Sequence, residues 1–242
     1  MGRVLRVTML LALVAAACGG AAEPKIDVGD GGAYTVSVGP GDFVDGIDNP
    51  WLPFAPSSKW VYEGREDDEV ERIEVVVLEE TRLVNGIVAT VVRDRVTVDG
   101  VLVEDTYDWY AQDTAGNVWY LGEDSTEYEN GEAVSKAGSW EWGVDGALPG
   151  IVMYADPQVG QTYRQEFHED QAEDVAEIAR RNVSVTVPFG AFDGVLVIKE
   201  WNPMEPDVVE EKYFASGVGV ILEKKIEGVS ETVELISAET GG

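Results

Sequence analysis

Two dipeptides, Asn85-Gly86 and Asp99-Gly100, constrain this chain more than any other feature. Each sits between runs that alternate apolar and polar residues. Asn-Gly and Asp-Gly readily adopt the left-handed backbone that two-residue hairpin turns demand. They predict two consecutive β-hairpins, and a two-residue turn also fixes which side chains face one another. About Asp99-Gly100, Val96 faces Val103, Asp94 faces Asp105 and Val92 faces Tyr107. About Asn85-Gly86, Val92 faces Glu79, Asp94 faces Val77 and Val96 faces Val75. Both turns select the same apolar face, and the side-chain period of two adds Trp109 to it.

Three carboxylates interrupt that face. Asp94 and Asp105 are directly opposed in this register, at ~4.5–5.5 Å between Cβ atoms, with Glu79 one diagonal step away. Like charges opposed on a sheet destabilise it, and burial makes that worse. Four arrangements would offset the cost. A hard cation of the Ca²⁺ type could be held by Glu79, Asp94 and Asp105, since these are oxygen ligands without His or Cys. The pair could share a proton. An inward Arg72, Arg82 or Arg164 could neutralise it, or the face could open to solvent. The same pair matches the carboxylate spacing of a retaining glycosidase, but directly opposed strand residues give that spacing by default. Tyr107 and Trp109, with Asp94 and Asp105, are the candidate ligand-binding residues.

The rest of the chain has the same character. Turns at Asp113–Asn117 and Asn130-Gly131 and strands near 161–168, 175–187, 195–201, 208–215, 218–226 and 231–237 predict an all-β, antiparallel, strongly curved barrel or half-barrel. Residues 172–181 could form a helix, but the alternation continuing through Val187 favours strand. Residues 48–56, with three prolines, Trp51 and Phe54, form a stiff strap that opens the folded domain. Asp113 is expected to cap its own turn, and Trp140 and Trp142 to pack in the core rather than stack on a sugar. Gly217 and Gly219 mark a bend in a curved sheet. His168, the one histidine, is expected at the surface beside Glu166, Glu169 and Asp170, and Glu173-Asp174 in an exposed turn. No phosphate loop, dinucleotide fingerprint or zinc spacing is present in the sequence.

The N-terminus predicts export. Arg3 and Arg6 precede an apolar run over 7–14 and the small residues Ala15-Ala16-Ala17, the pattern of a signal peptide spanning 1–17. Cys18, the single cysteine, follows at once, as in a bacterial lipoprotein leader, although Ala15 stands where leucine is usual. Residues 18–45 are rich in Gly, Ala and Asp and suit a tether between a lipid anchor and a domain over 46–242. The net charge is −29, which argues against nucleic-acid partners and favours cations.

Several phrases together resemble a group of uncharacterised exported bacterial lipoproteins with a lipocalin-like or lipoprotein-carrier-like β half-barrel. They are Asp48-Asn-Pro-Trp51 ahead of Trp60-Val-Tyr62, Gly116-Asn-Val-Trp-Tyr120, Val187-Pro-Phe-Gly-Ala-Phe192 and Lys212-Tyr-Phe-Ala-Ser-Gly-Val-Gly-Val220. The resemblance implies fold and location, not activity. The expectation is a membrane-anchored, extracytoplasmic, non-enzymatic protein that holds a small apolar or amphipathic molecule, or an envelope glycan, in its concave face. A Ca²⁺-binding β protein and an envelope glycan hydrolase using Asp94 and Asp105 are the alternatives.

Overall fold

The computed structural model describes residues 34–66, 69–227 and 231–241. In these segments the turn chemistry sets the architecture. Asn85, Asp99 and Asn130 adopt positive φ, each followed by a glycine that does the same, so each dipeptide reverses the chain and pairs the flanking runs. A 3₁₀ turn, Pro40–Asp42, comes first. The strands are β1 (Phe43–Val44), β2 (Lys59–Glu66), β3 (Glu69–Val84), β4 (Ile87–Val98), β5 (Val101–Asp113), β6 (Val118–Glu129), β7 (Glu132–Ser135), β8 (Trp140–Glu141), β9 (Leu148–Met153), β10 (Thr162–Arg164), β11 (Glu166–Phe167), β12 (Val175–Val187), β13 (Gly190–Trp201), β14 (Val209–Ala215), β15 (Gly219–Glu227) and β16 (Thr232–Glu239). The stretch with helical potential forms no helix and is strand from Val175 on, in β12.

All pairings are antiparallel, and the sheet runs β10-β12-β13-β14-β15-β16-β2-β3-β4-β5-β6-β9-β11, with β1 on β5 and with β7 and β8 on β6. The two ends of that order are consecutive in the chain. β10 pairs with β12, while β11, one residue further on, pairs with β9. One short segment thus spans both edges of the sheet and brings it nearly to closure, so the fold is a barrel rather than an open half-barrel. The crossing is tight at Gly150 in β9, where a Cβ would lie 2.2 Å from the Gln165 carbonyl carbon and 2.5 Å from the Arg164 oxygen.

The strap over 48–56 is tied to the barrel by its backbone. The Asp48 and Asn49 N–H groups donate to Gln112 Oε1, the Asn49 side chain donates to the carbonyls of Gly116 and Tyr154, and the Gly217 N–H donates to the Pro50 carbonyl. Gly217 sits in the turn from β14 to β15, where it and Gly219 take positive φ. Residues 34–44, read from sequence as tether, also lie on the barrel. The Tyr34 hydroxyl donates to the Pro149 carbonyl, Val36 and Val38 pack on a buried cluster, and β1 pairs with β5. The leader and Cys18 lie outside the described residues.

Candidate functional site

The two hairpins begin as their turns dictate and then slip. About Asp99-Gly100, Val98 pairs with Val101 and Thr97 with Leu102, but Val96 pairs with Glu104, so Val103 is an extra residue in β5. Beyond this bulge Arg95 opposes Asp105, Asp94 opposes Thr106, Arg93 opposes Tyr107 and Val92 opposes Asp108. A slip of one residue exchanges the faces of a strand. In β3 the slip is of two residues, between Thr81–Thr90 and Val77–Val92. That leaves the faces unchanged and sets Asp94 against Val75.

The predicted carboxylate triad is therefore not assembled. Asp94 faces the barrel interior. Asp105 is on the outside, where its two oxygens accept from Arg93 Nε and Nη2 at 2.7 and 2.6 Å. Tyr107 is outside as well, 5.2 Å from the same guanidinium. Trp109 is buried on that outer face under the Arg82 guanidinium, 3.9 Å from the ring centroid. Glu79 lies in the irregular part of β3, exposed and bonded by the Ser57 hydroxyl. Among the described residues no three His, Cys, Asp or Glu side chains converge as metal ligands. Neither the calcium set nor the glycosidase-like pair of Asp94 and Asp105 exists in this register.

The slip puts different residues inside. Glu104, Asp108 and Tyr110 of β5 join Asp94 and Val96 of β4 around a cavity of about 270 Å³. Trp60 and Tyr62 from β2, Phe214 from β14 and Phe54 from the strap supply its aromatic lining. The Phe54 and Tyr110 rings lie 5.2 Å apart, and Tyr110 stacks on Tyr120 at 4.9 Å. Eight carboxylates line this space against three lysines.

The acids fall into three groups. Glu200, Glu210 and Glu223 surround Lys212, whose Nζ is 2.8 Å from Glu200. Burial pulls the Lys212 ammonium down, but these neighbours outweigh it and hold the pKa well above the usual lysine value. Glu231 binds Lys225, and Glu71 lies beside that pair. Glu71 is only 1% exposed, and its Oε1 has no hydrogen-bond donor. Burial, then the Glu231 carboxylate, pushes its pKa up to about 8.

The third group, Asp94, Glu104 and Asp108, has no lysine within it. Burial raises Asp94 well above the carboxylate range, and Asp108 and Glu104 add to the rise. Asp94 Oδ1 is buried without a donor. Asp108 accepts from the Tyr120 hydroxyl at 2.6 Å and is still raised to about 7 by burial. Glu104 accepts from the Thr106 hydroxyl at 2.8 Å and is also raised by burial.

A second acidic patch lies behind Trp140. Its indole N–H donates to Glu166 Oε2 at 2.8 Å, and Asn202 Nδ2 donates to Asp174 at 2.8 Å. Glu123 and Glu166 are buried here and raised well above their usual range, first by desolvation. Glu166 and Asp174 are thus not the exposed acids expected from sequence. His168 is buried too, at 9% exposure, with its backbone bridged to Ala172 across the 169–171 turn. Trp140 and Trp142 are core residues, and Asp113 caps its turn by accepting from the N–H groups of Ala115 and Asn117. Of the three arginines considered as inward partners, Arg72 is exposed, Arg82 covers Trp109, and Arg164 is buried near Glu173. Lys212 instead supplies a cation to the interior.

The fold and the cavity define a class, a nearly closed antiparallel β-barrel with an acidic, aromatic-lined interior. No family model and no curated protein matches the sequence. Among solved structures, a Bacteroides fragilis protein described as exported, with a YmcC-like fold, aligns over 82% of this chain and all of its own, at TM-score 0.47 and 11% identity. A Parabacteroides distasonis protein described as a lipoprotein aligns over 79% of this chain and 99% of its own, at TM-score 0.35 and 12% identity.

Proposed function

We propose that this protein is a non-enzymatic binding protein of the bacterial envelope, anchored through Cys18, which holds a small amphipathic molecule inside its barrel. The observation that carries this reading is the interior cavity of about 270 Å³, walled by aromatic rings on one part and carboxylates on another. Ligand pockets combine apolar walls with a few convergent polar groups in this way. Packed barrels of small bore instead fill their interiors with side chains. Export and anchoring rest on the leader, with its basic start, apolar run and cysteine after three alanines. A glycan ligand is disfavoured, because Trp140 and Trp142, the alternating pair considered as a sugar platform, are buried in the core.

Binding can be tested with 1-aminoanthracene, a neutral fluorescent amphiphile at pH 7.5. The soluble domain is expected to bind it with a blue-shifted, enhanced emission, and Val96→Trp, which fills the cavity from β4, to abolish the signal while keeping the far-ultraviolet spectrum. Equal binding by a folded Val96→Trp variant places the probe outside the barrel and rejects the reading. Anchoring has its own test. Cys18→Ser should move the protein from the detergent phase to the aqueous phase on Triton X-114 partition of cells expressing the full chain.

A further inference from the structure

Resting on that reading, we infer that the ligand carries a cationic amine, because the interior presents Asp94, Glu104, Asp108 and Glu71 beside Tyr62 and Tyr110 and, among the described residues, has no uncommitted cation of its own. The lysines decide the sign of the ligand. Lys212 is held at 2.8 Å by Glu200 with Glu210 and Glu223 around it, and Lys225 is bound to Glu231. The Lys224 ammonium lies 5.7 Å from the Tyr213 ring, and Tyr213, one residue from the inward Lys212, alternates to the opposite face. An anionic headgroup would have to break an ion pair to find a partner, and would meet seven further carboxylates.

Buried oxygens point the same way. Glu71 lines the cavity at 1% exposure with Oε1 lacking a donor, and Asp94 Oδ1 in the same wall is also without one. Buried acceptors left unpaired are uncommon in native proteins and cost free energy. An ammonium supplies three donors and a positive charge together. Asp94 sits between Glu104 and Asp108 on the neighbouring strand, opposite Thr106, so a cation placed at Asp94 lies in the field of two further carboxylates at the diagonal spacing of ~7–8 Å. The rings of Tyr62 and Tyr110 line the same space, and their hydroxyls feel the Asp94 charge. Aromatic faces attract cations within ~6 Å.

A bare metal ion fits less well. Ca²⁺ needs six to eight oxygens at ~2.3–2.6 Å, and among the described residues no three candidate ligands converge. Dispersed carboxylates with aromatic walls instead suit an organic cation, whose charge is bound at one end and whose carbon body is buried at the other. Phe54, Trp60 and Phe214 are placed for that body.

The test compares three ligands that share a tail and differ in the head: octylammonium, 1-octanol and octanoate, each titrated against bound 1-aminoanthracene at pH 7.5. Octylammonium is expected to displace the probe at a concentration at least tenfold below 1-octanol, with octanoate weakest. Asp94→Asn should lower that preference about tenfold while leaving 1-octanol unchanged. Glu71→Gln and Asp108→Asn serve as further variants should Asp94→Asn fail to fold. If 1-octanol or octanoate competes as well as the amine, or if the amine preference survives in every folded variant, the inference falls while the binding reading stands. If none of the three competes and Val96→Trp leaves probe binding intact, the binding reading itself falls.

Discussion

Asp94 is an ionisable group held in a place that favours its neutral form. Its neighbours on the inner wall are Val75, Val96 and Thr106, with Glu104 and Asp108 at the diagonals. In the unfolded chain it titrates near 3.8, and burial in the barrel moves it well above that. Asparagine has nearly the same shape, removes the charge and adds a donor for the neighbouring carboxylates. Above about pH 4 the unfolded aspartate has lost its proton and the folded one keeps it, so the stability that Asp94 contributes shrinks as pH rises. Asp94→Asn should therefore raise the melting temperature at pH 8. The gain should fade towards pH 4, and a variant less stable than the parent at pH 8 would contradict this account. On the outer wall Arg93 grips Asp105 with two bonds, and removing that guanidinium should lower the melting temperature.

At the scale of strands, the turns and the strand positions were readable because they depend on local chemistry. β12 runs over 175–187 as the alternation predicts, and both Asn85-Gly86 and Asp99-Gly100 make the tight turns that such dipeptides favour. The candidate site was not readable, and the reason is two register slips: the irregularity in β3 that takes Glu79 away, and one residue in β5. Val103 looks like an ordinary strand residue, yet it is the bulge that turns Glu104 and Asp108 inward and Asp105, Tyr107 and Trp109 outward. Trp109 carried the available hint, since it belongs to a buried outer cluster with Trp119 and Leu121 that fixes the face of β5. Lys212 was hidden for another reason, because the strands that enclose it, β13 to β15, come from the far end of the chain. Barrel closure was also invisible in sequence. It depends on backbone approach at Gly150, where a methyl group would meet the Gln165 carbonyl at 2.2–2.4 Å. Gly150→Ala should force β9 away from the β10–β11 segment, with a loss of stability on the order of 2–4 kcal/mol, similar to other steric overpacking. Denaturant melts should show it, with amide exchange accelerated first in 148–153 and 162–167. A fully stable Gly150→Ala protein would mean that the barrel does not close there.

For the molecule as a whole, the interior acids reverse the usual dependence of stability on pH. Most proteins lose stability in acid because paired carboxylates must be protonated. Here burial, reinforced by neighbouring carboxylates, raises Glu71 to about 8, and burial raises Asp108 and Glu210 to about 7 and, with Glu200 beside it, Asp174 to about 6. The unfolded chain releases those protons near pH 4, so between about 4 and 8 the folded state holds more protons than the unfolded one. Stability then falls as pH rises: the contribution of these groups is complete below the unfolded values and is lost on passing through 6 to 8. Glu211 acts the other way, lowered chiefly by the hydrogen bonds from Arg180, but it is one group against several. The net charge of −29 works in the same direction as the interior acids, since deprotonation adds to self-repulsion. Calorimetric melts of the ligand-free domain should move to lower temperature from pH 5 to pH 8, by a total of several kcal/mol in stability given ~1.4 kcal/mol per pKa unit for each group. A cationic ligand should reduce that slope, because it favours the ionised acids in the folded state, and saturating octylammonium should therefore stabilise the protein more at pH 8 than at pH 5. A melting temperature that rises from pH 5 to pH 8 without ligand would show that these carboxylates are already ionised and compensated inside the barrel.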